Sequence, residues 1–376
     1  MIMGMDRTLS AMILAAGEGT RMRSSLAKPL HRICGRAMLL YVLDSLRALT
    51  VEEIAVVVGA ADNPVVKEVS EFWNGPARPH FVEQRSRRGT GDAVAVGLTG
   101  LESDEGDLVV LPGDTPLLRP STIAGLLEAH RREDVAATVL VAEMDNPLGY
   151  GRVIRSKDGS VSKVVEEADA TPQQRALREV NTSVYCFRRS VLAPALRRLV
   201  PDNAQGEYYL TDVLEVLAAA GYKVAAHPLS DPAEAMGVND RSQLAAAETL
   251  LRRRINERWM RRGVTMADPA TTYIDADVSL EEDVALAPGV SLLGSTKVSS
   301  GAEIGPEVTL EDTTVGEDAV VIRSQATAAF VGAGAKVGPY AVLEPGASVP
   351  PGGAVGPFET LGYEAGRLGE PGGRGG

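Results

Sequence analysis

Short apolar runs and helical patterns alternate over the first half of the chain. Ser10-Ala11-Met12-Ile13-Leu14 reads as a buried strand, and it stops at the turn Ala16-Gly17-Glu18-Gly19. A helix is predicted over residues 39–48. A second strand follows at Ile54-Ala55-Val56-Val57-Val58, and a third at Asp107-Leu108-Val109-Val110-Leu111, broken by Pro112-Gly113-Asp114. This rhythm predicts an α/β domain with a mostly parallel sheet and helices on both faces. Ligands on such sheets gather at the carboxyl edge, where both glycine-bearing turns fall. Over residues 239–262 the pattern becomes helical, with Leu244, Leu251, Ile255 and Trp259 spaced by seven, four and four. Arg252, Arg253, Arg254, Arg258, Arg261 and Arg262 make this stretch basic. It reads as a solvated connecting helix, with an anion-binding face as the alternative.

Beyond Ala267 one apolar position recurs every six residues. Val278, Val284 and Val290 form one series, and Val298, Ile304 and Leu310 a second. A third runs through Val331, Val337, Leu343, Val349, Val355 and Leu361. Small and turn-forming residues fill the gaps, which is the signature of a parallel β-helix. Breaks near Thr296 and Thr313–Thr314 predict loops or imperfect coils. The expected domains are residues 1–238, a linking helix 239–263, a β-helix 264–362 and a Gly/Pro/Arg-rich disordered tail 363–376.

Composition narrows the function. A chain of 376 residues suggests two to three domains at ~150 residues each. A hydrophobic content of 44% supplies a large core. The formal net charge of −12 opposes loose binding to nucleic acid or to anionic membranes. A phosphate-bearing substrate therefore needs locally placed cations and backbone N–H groups. Cys34 and Cys186 lack metal-ligand or C-x-x-C spacing and read as buried thiols. No apolar run approaches the ~18 residues of a membrane span. The start, MIMGMDRTLS, lacks a secretory pattern, so a reduced cytoplasm is expected; Met1, Met3 and Met5 are all possible starts.

The segment Leu14-Ala15-Ala16-Gly17-Glu18-Gly19-Thr20-Arg21-Met22, followed by Lys28, carries the first candidate chemistry. Glycines after a strand let N–H groups approach an anion. Met22 stands at the third glycine position of the dinucleotide fingerprint, and no Gly-Lys-Ser/Thr follows, so neither familiar phosphate loop fits. The segment alone is compatible with an anion cradle or a plain tight turn.

Read together, LAAGEGTRM and KPLH (28–31) resemble the sugar-1-phosphate nucleotidyltransferases. GTG (89–91), GDTPLL (113–118), GYGRV (149–153), VVEEADAT (164–171), EVNTSV (179–184), NAQGEYYLTD (203–212) and GVNDR (237–241) follow in order. The chain thus resembles the bacterial bifunctional N-acetylglucosamine-1-phosphate uridyltransferase/glucosamine-1-phosphate acetyltransferase family over about residues 9–360. That resemblance implies a Rossmann-like nucleotidyltransferase domain and a short left-handed parallel β-helix. It implies Mg²⁺-dependent transfer of a uridylyl group from UTP to N-acetylglucosamine-1-phosphate, forming UDP-N-acetylglucosamine and pyrophosphate in peptidoglycan precursor synthesis.

By the same resemblance Leu14, Ala15, Ala16, Gly17 and Gly113 line the nucleotide, while Arg21 and Lys28 offset phosphate charge. Gln84, with Gly89 and Thr90, reads uracil; an amide can both donate to a ring carbonyl and accept from the ring N–H. Gly151, Glu166 and Asn181 hold the amino sugar, and the NAQGEYYLTD stretch walls its N-acetyl group. Asp114 and Asn239 hold Mg²⁺, an ion that prefers oxygen and takes few protein ligands. Three departures stand out. Arg85, Ser86, Arg87 and Arg88 surround Gln84 unusually, Glu167-Ala168 follows Glu166 where a lysine is common, and Asp92 replaces a histidine after GTG. His31, His80, His130 and His227 read as structural or surface residues.

The family's acetyl transfer needs a base and cations on the β-helix. No histidine follows His227, the only cations beyond Lys336 are Arg367 and Arg374, and Glu344 and Gly362 stand where the family places cations. Acetyltransferase activity is expected to be absent, whether the chain is naturally short, clipped or frameshifted. The β-helix is expected to serve a homotrimer. The alternatives are a relative acting on another sugar-1-phosphate or on dTTP, and a non-catalytic oligomeric scaffold.

Overall fold

The structure, a computed structural model, describes residues 7–59 and 64–362. The choice of starting methionine and the tail from residue 363 lie outside the described residues. Among those residues one compact unit takes the chain up to Arg32 and Ala37–Ala247, and a second takes Ile33–Arg36 and the chain from Glu248 onward.

The first unit is built on nine strands: β1 (Leu9–Leu14), β2 (Glu53–Val58), β3 (Pro79–Glu83), β4 (Asp107–Pro112), β5 (Ala137–Glu143), β6 (Arg152–Arg155), β7 (Val161–Val165), β8 (Glu179–Arg188) and β9 (Val224–Pro228). Their order is β9-β5-β8-β4-β1-β2-β3, with β6 paired to β8 and β7 to β6. β1 runs parallel to β2 and β4, β2 to β3, and β9 to β5. β8 lies antiparallel between β4 and β5. The unbroken apolar runs follow from burial on both faces. Ala11 and Ile13 join one core with Ile54, Val56, Val109 and Leu111, while Met12 joins the other with Ala55, Val57, Leu108 and Val110.

Helix α1 (Met38–Asp44) stops short of the predicted residues 39–48. Ser45 Oγ donates to the Val42 carbonyl at 2.6 Å, and the next amides make shorter turns onto Leu43 and Asp44. A hydroxyl that bonds its own helix in this way competes with the ladder. In β8 the pairing with β5 shifts between Asn181 and Tyr185, and Ser183 takes a left-handed φ of 62° there. Bulges of this kind re-aim side chains at sheet edges and active sites.

The second unit stacks short parallel strands into sheets of six, six and five strands, a parallel β-helix. Two inner tracks fill it. One passes through Leu280, Leu286, Leu292, Val298, Ile304 and Leu310, and the other, two residues ahead, through Val278, Val284, Val290, Thr296, Ala302 and Val308. The first two apolar series therefore belong to different tracks. The predicted break at Thr296 is no loop: Thr296 is fully buried, and its hydroxyl donates to the Leu293 carbonyl at 2.7 Å and accepts from Thr313 N at 3.2 Å. The irregularity near Thr313 is a shortening of the coils. Val298 pairs with Val315, Leu310 with Ala326 and Val331 with Val349, so coils close in seventeen, sixteen and eighteen residues.

The helix Arg241–Met260 buries Ala247, Leu251, Ile255 and Trp259 at four-residue intervals. The Arg252 guanidinium lies 4.3 Å from the Tyr273 ring centre, and those of Arg258 and Arg262 flank Trp259.

Candidate active site

The carboxyl edge of the first sheet gathers the candidate loops through backbone bonds. Ala15 N donates to Val57 O at 2.8 Å, Gly113 N to Leu14 O at 2.9 Å and Gln84 N to Val58 O at 2.8 Å. Leu14, Ala15, Ala16, Gly17, Gly113, Asp114 and Gln84 thus share one rim. Gly17 faces open space: a Cβ built there meets no atom within 4 Å. Gly19 differs, since its φ is 61° and a Cβ would come within 2.6 Å of Lys28 Cβ. The glycine lets the Lys28 side chain pass close beneath the turn.

Lys28 converges on the two acidic-amide positions. Its Nζ donates to Asp114 Oδ2 and, at 2.8 Å, to Asn239 Oδ1. Arg21 Nη2 donates to the same Asn239 oxygen at 3.0 Å. The Lys28 and Asp114 side chains are mostly covered, at 13% and 24% exposure, which weakens solvent screening of the pair. Backbone geometry holds the two oxygen donors together, because Val238 N donates to the Asp114 carbonyl at 2.9 Å. Among the described residues no group of three His, Cys, Asp or Glu side chains could hold a metal. A carboxylate and an amide oxygen aimed at one point where positive charge already sits do fit a hard cation that takes its remaining ligands from water and phosphate.

Gln84 is buried, only 4% exposed, and not the surface glutamine its arginine-rich neighbours would suggest. Its Nε2 donates to Asp92 Oδ2 at 2.9 Å and to the Gly89 carbonyl at 3.2 Å, so the donor half of the amide is used within the protein. The helix Thr90–Gly97 opens directly after Gly89. Gly89 has φ 110°, and a Cβ there would lie 2.5 Å from the Tyr208 carbonyl oxygen. That close approach, sealed by Tyr208 N to Arg88 O and Gly91 N to Tyr208 O at 2.7 Å each, is why glycine is needed.

Segment 208–211 then leads to the remaining candidates. Leu210 N donates to Thr90 Oγ1 at 3.0 Å, and Thr211 Oγ1 donates to Glu166 Oε1 at 3.1 Å. Burial raises the Glu166 carboxyl above its usual range against the opposing Thr211 bond, with Asp212 and Asp169 adding to the rise. Asn181 N donates to the Gly151 carbonyl at 2.9 Å, and Asn181 Nδ2 to the Tyr185 hydroxyl at 2.8 Å across the β8 bulge. Gly151, Glu166 and Asn181 therefore form a second group. Partly buried Tyr150 links it to the first: burial raises its phenol above the usual range, the Asp114 charge adds to the rise and the Gly237 backbone opposes it.

A family model described as "MobA-like NTP transferase domain" matches residues 11–215. The chain belongs to the MobA-like NTP transferase family. Among curated relatives it is 45% identical over 84% of its length to the "Bifunctional protein GlmU" of Corynebacterium aurimucosum. It is 41% identical over 81% to the protein of that name from Halalkalibacterium halodurans, and 46% identical over 86% to that from Mycolicibacterium vanbaalenii. The chain spans 65%, 66% and 66% of those relatives' own lengths.

For this member of the family, sequence reasoning missed several residues of the rim. Arg87 Nε donates to the Ala16 carbonyl at 3.0 Å and its guanidinium pairs with Glu18, tying the Gln84 loop to the glycine turn. Tyr150 and Thr211 lay within quoted motifs without a role of their own, and Tyr185 lay just beyond one, because the contacts that give them roles form only in the fold. Tyr209 lay within a quoted motif, yet its buried hydroxyl, which has no hydrogen-bond partner among the described residues, could only be found in three dimensions.

Proposed function

We propose that the chain transfers a uridylyl group from UTP to N-acetylglucosamine-1-phosphate, releasing pyrophosphate. The observation that carries this reading is the meeting of Arg21, Lys28, Asp114 and Asn239 at one point of the rim. The similarity to proteins named GlmU supports the choice of substrates. A sugar phosphate has a second pKa of about 6, so its nucleophilic oxygen is already ionised at neutral pH and needs no base. The task is to bring two anions together and to stabilise the charge that moves from the α-phosphoryl group to the departing pyrophosphate. Lys28 and Arg21 supply fixed positive charge, and the open backbone at Gly17 admits phosphate or ribose. Glu166 and Asn181 accept and donate to the sugar hydroxyls and amide from a dry wall. Mg²⁺, held by Asp114 and Asn239, would neutralise phosphate charge and align the two groups. The attack is direct and in line, with no covalent enzyme intermediate.

The test is a panel of UTP and dTTP against N-acetylglucosamine-1-phosphate and glucose-1-phosphate with Mg²⁺, following pyrophosphate. Fastest release from UTP with the amino sugar supports the reading, and no release from any pair overturns it. We further propose a cytoplasmic enzyme that assembles as a trimer through its β-helix and lacks acetyl transfer. Exposed Phe330, Tyr340 and Phe358 on the β-helix, the last two stacked at 5.1 Å, favour assembly. Among the described residues no helix is long and apolar enough to cross a membrane.

A further inference from the structure

We propose that Asp92 sets the base preference of the pocket by locking the Gln84 amide with its oxygen toward the base. The inference rests on the reading of this rim as a nucleotide site and deepens it. Gln84 Nε2 faces two partners, Asp92 Oδ2 and the Gly89 carbonyl, at 2.9 and 3.2 Å. Both are pure acceptors. Turning the amide over would set Oε1 against two oxygens, so chemistry alone fixes its orientation. Asp92 is itself held, because its other oxygen accepts from Arg88 Nη2 at 2.7 Å and its side chain is only 9% exposed. It also sits in the first turn of the helix Thr90–Gly97, whose N-terminus favours a carboxylate.

With both amide protons committed, what Gln84 offers a ligand is an acceptor. Among the described residues nothing donates to Gln84 Oε1. Uracil and thymine carry N–H at ring position 3, which meets that oxygen well. Cytosine carries a lone pair there, which meets it oxygen against lone pair. A site whose polar atoms are fixed beforehand discriminates through the unpaired group that the wrong ligand creates. Gly91 N and Ala93 N are already spent on the Tyr208 and Gly89 carbonyls, whereas the Thr90 N–H, which has no partner among the described residues, can serve the ring carbonyl beside that position.

Asp92→Asn is the incisive variant because it keeps the shape. Its amide must turn NH₂ toward either Arg88 or Gln84, and the permanently charged Arg88 keeps the oxygen. The NH₂ then faces Gln84, and no orientation of its amide suits both neighbours: Nε2 meets the new NH₂, while Oε1 would meet the Gly89 carbonyl, so the lock is lost and Nε2 is presented to the base in part of the population. The experiment compares kcat/KM for UTP and CTP, and KM for the sugar phosphate, in wild type, Asp92→Asn and Asp92→Glu, with a melting curve for each. The UTP-over-CTP preference should fall at least about tenfold in Asp92→Asn, the scale of one hydrogen bond, and persist in Asp92→Glu. The KM for sugar phosphate should hold.

Rates on UTP and CTP that fall in parallel, or an unchanged preference, would overturn the inference while leaving the transferase reading intact. Loss of all turnover in the wild type would remove both. If Asp92→Asn does not fold, competition on the wild type decides. CTP and 3-methyluridine triphosphate, which both lack the ring N–H, should compete far more weakly than UTP. Equal competition overturns the inference.

Discussion

A single ammonium donating to two oxygens defines the chemistry at the residue scale. Lys28 reaches Asp114 and Asn239 together, and Arg21 reaches the same amide oxygen. Replacing Asp114 by Ala should lower pyrophosphate release by at least about a hundredfold, as expected when a group acting on the transition state is removed. Turnover that survives unchanged at saturating Mg²⁺ would refute the role given to this carboxylate. Gly89→Ala carries a different cost, because its Cβ would press on the Tyr208 carbonyl at a positive φ. A loss of roughly 1–3 kcal/mol is expected in chemical denaturation. Asp114 was legible as a residue after a strand and turn, yet its partnership with Asn239 was not, since spacing along a chain cannot pair distant loops. The resemblance supplied that pairing, and the Val238–Asp114 backbone bond supplies its physical cause.

Elements govern stability and its pH dependence. Asp212 opens the helix Asp212–Ala219, where burial first, then the charges of Glu215 and Asp169, push its carboxyl up to about 6. An unfolded aspartate titrates near ~3.9. Between those values the folded chain holds a proton that the unfolded chain has released, so this contribution to stability is whole below about pH 4 and is lost as pH rises through 6. Asp212→Asn should raise the melting temperature relative to wild type above pH 6 and give no such gain near pH 4. An equal gain at both pH values would remove the titration argument. Strands β1, β2 and β4 were readable because burial on both faces writes an unbroken apolar run. The end of α1 was not, because Ser45 stops it with a local hydroxyl bond that propensity does not specify.

At the scale of the whole molecule the order of motifs along the chain conveyed the two-part architecture and the family, while assembly and the reach of the activity depend on surfaces. A homotrimer should give three times the chain mass of 39.6 kDa in light scattering, and a monomeric mass at micromolar concentration would exclude it. Incubation with acetyl-CoA and glucosamine-1-phosphate should release no thiol above background. Sustained release would show that the acetyl-transfer site does not depend on the cations expected there. The β-helix was legible as a six-residue recurrence, but positions on two interleaved inner tracks were read as successive separate series.

That coil has a consequence for how its sequence can change. In a flat sheet, losing one residue turns every later side chain to the opposite face. Here coils of sixteen to eighteen residues stack with their buried positions still aligned, because a dropped residue is absorbed at the bend between two sides. Such a scaffold tolerates single-residue deletions at its corners while its interior stays intact, so descendants can drift in length without passing through an unfolded ancestor.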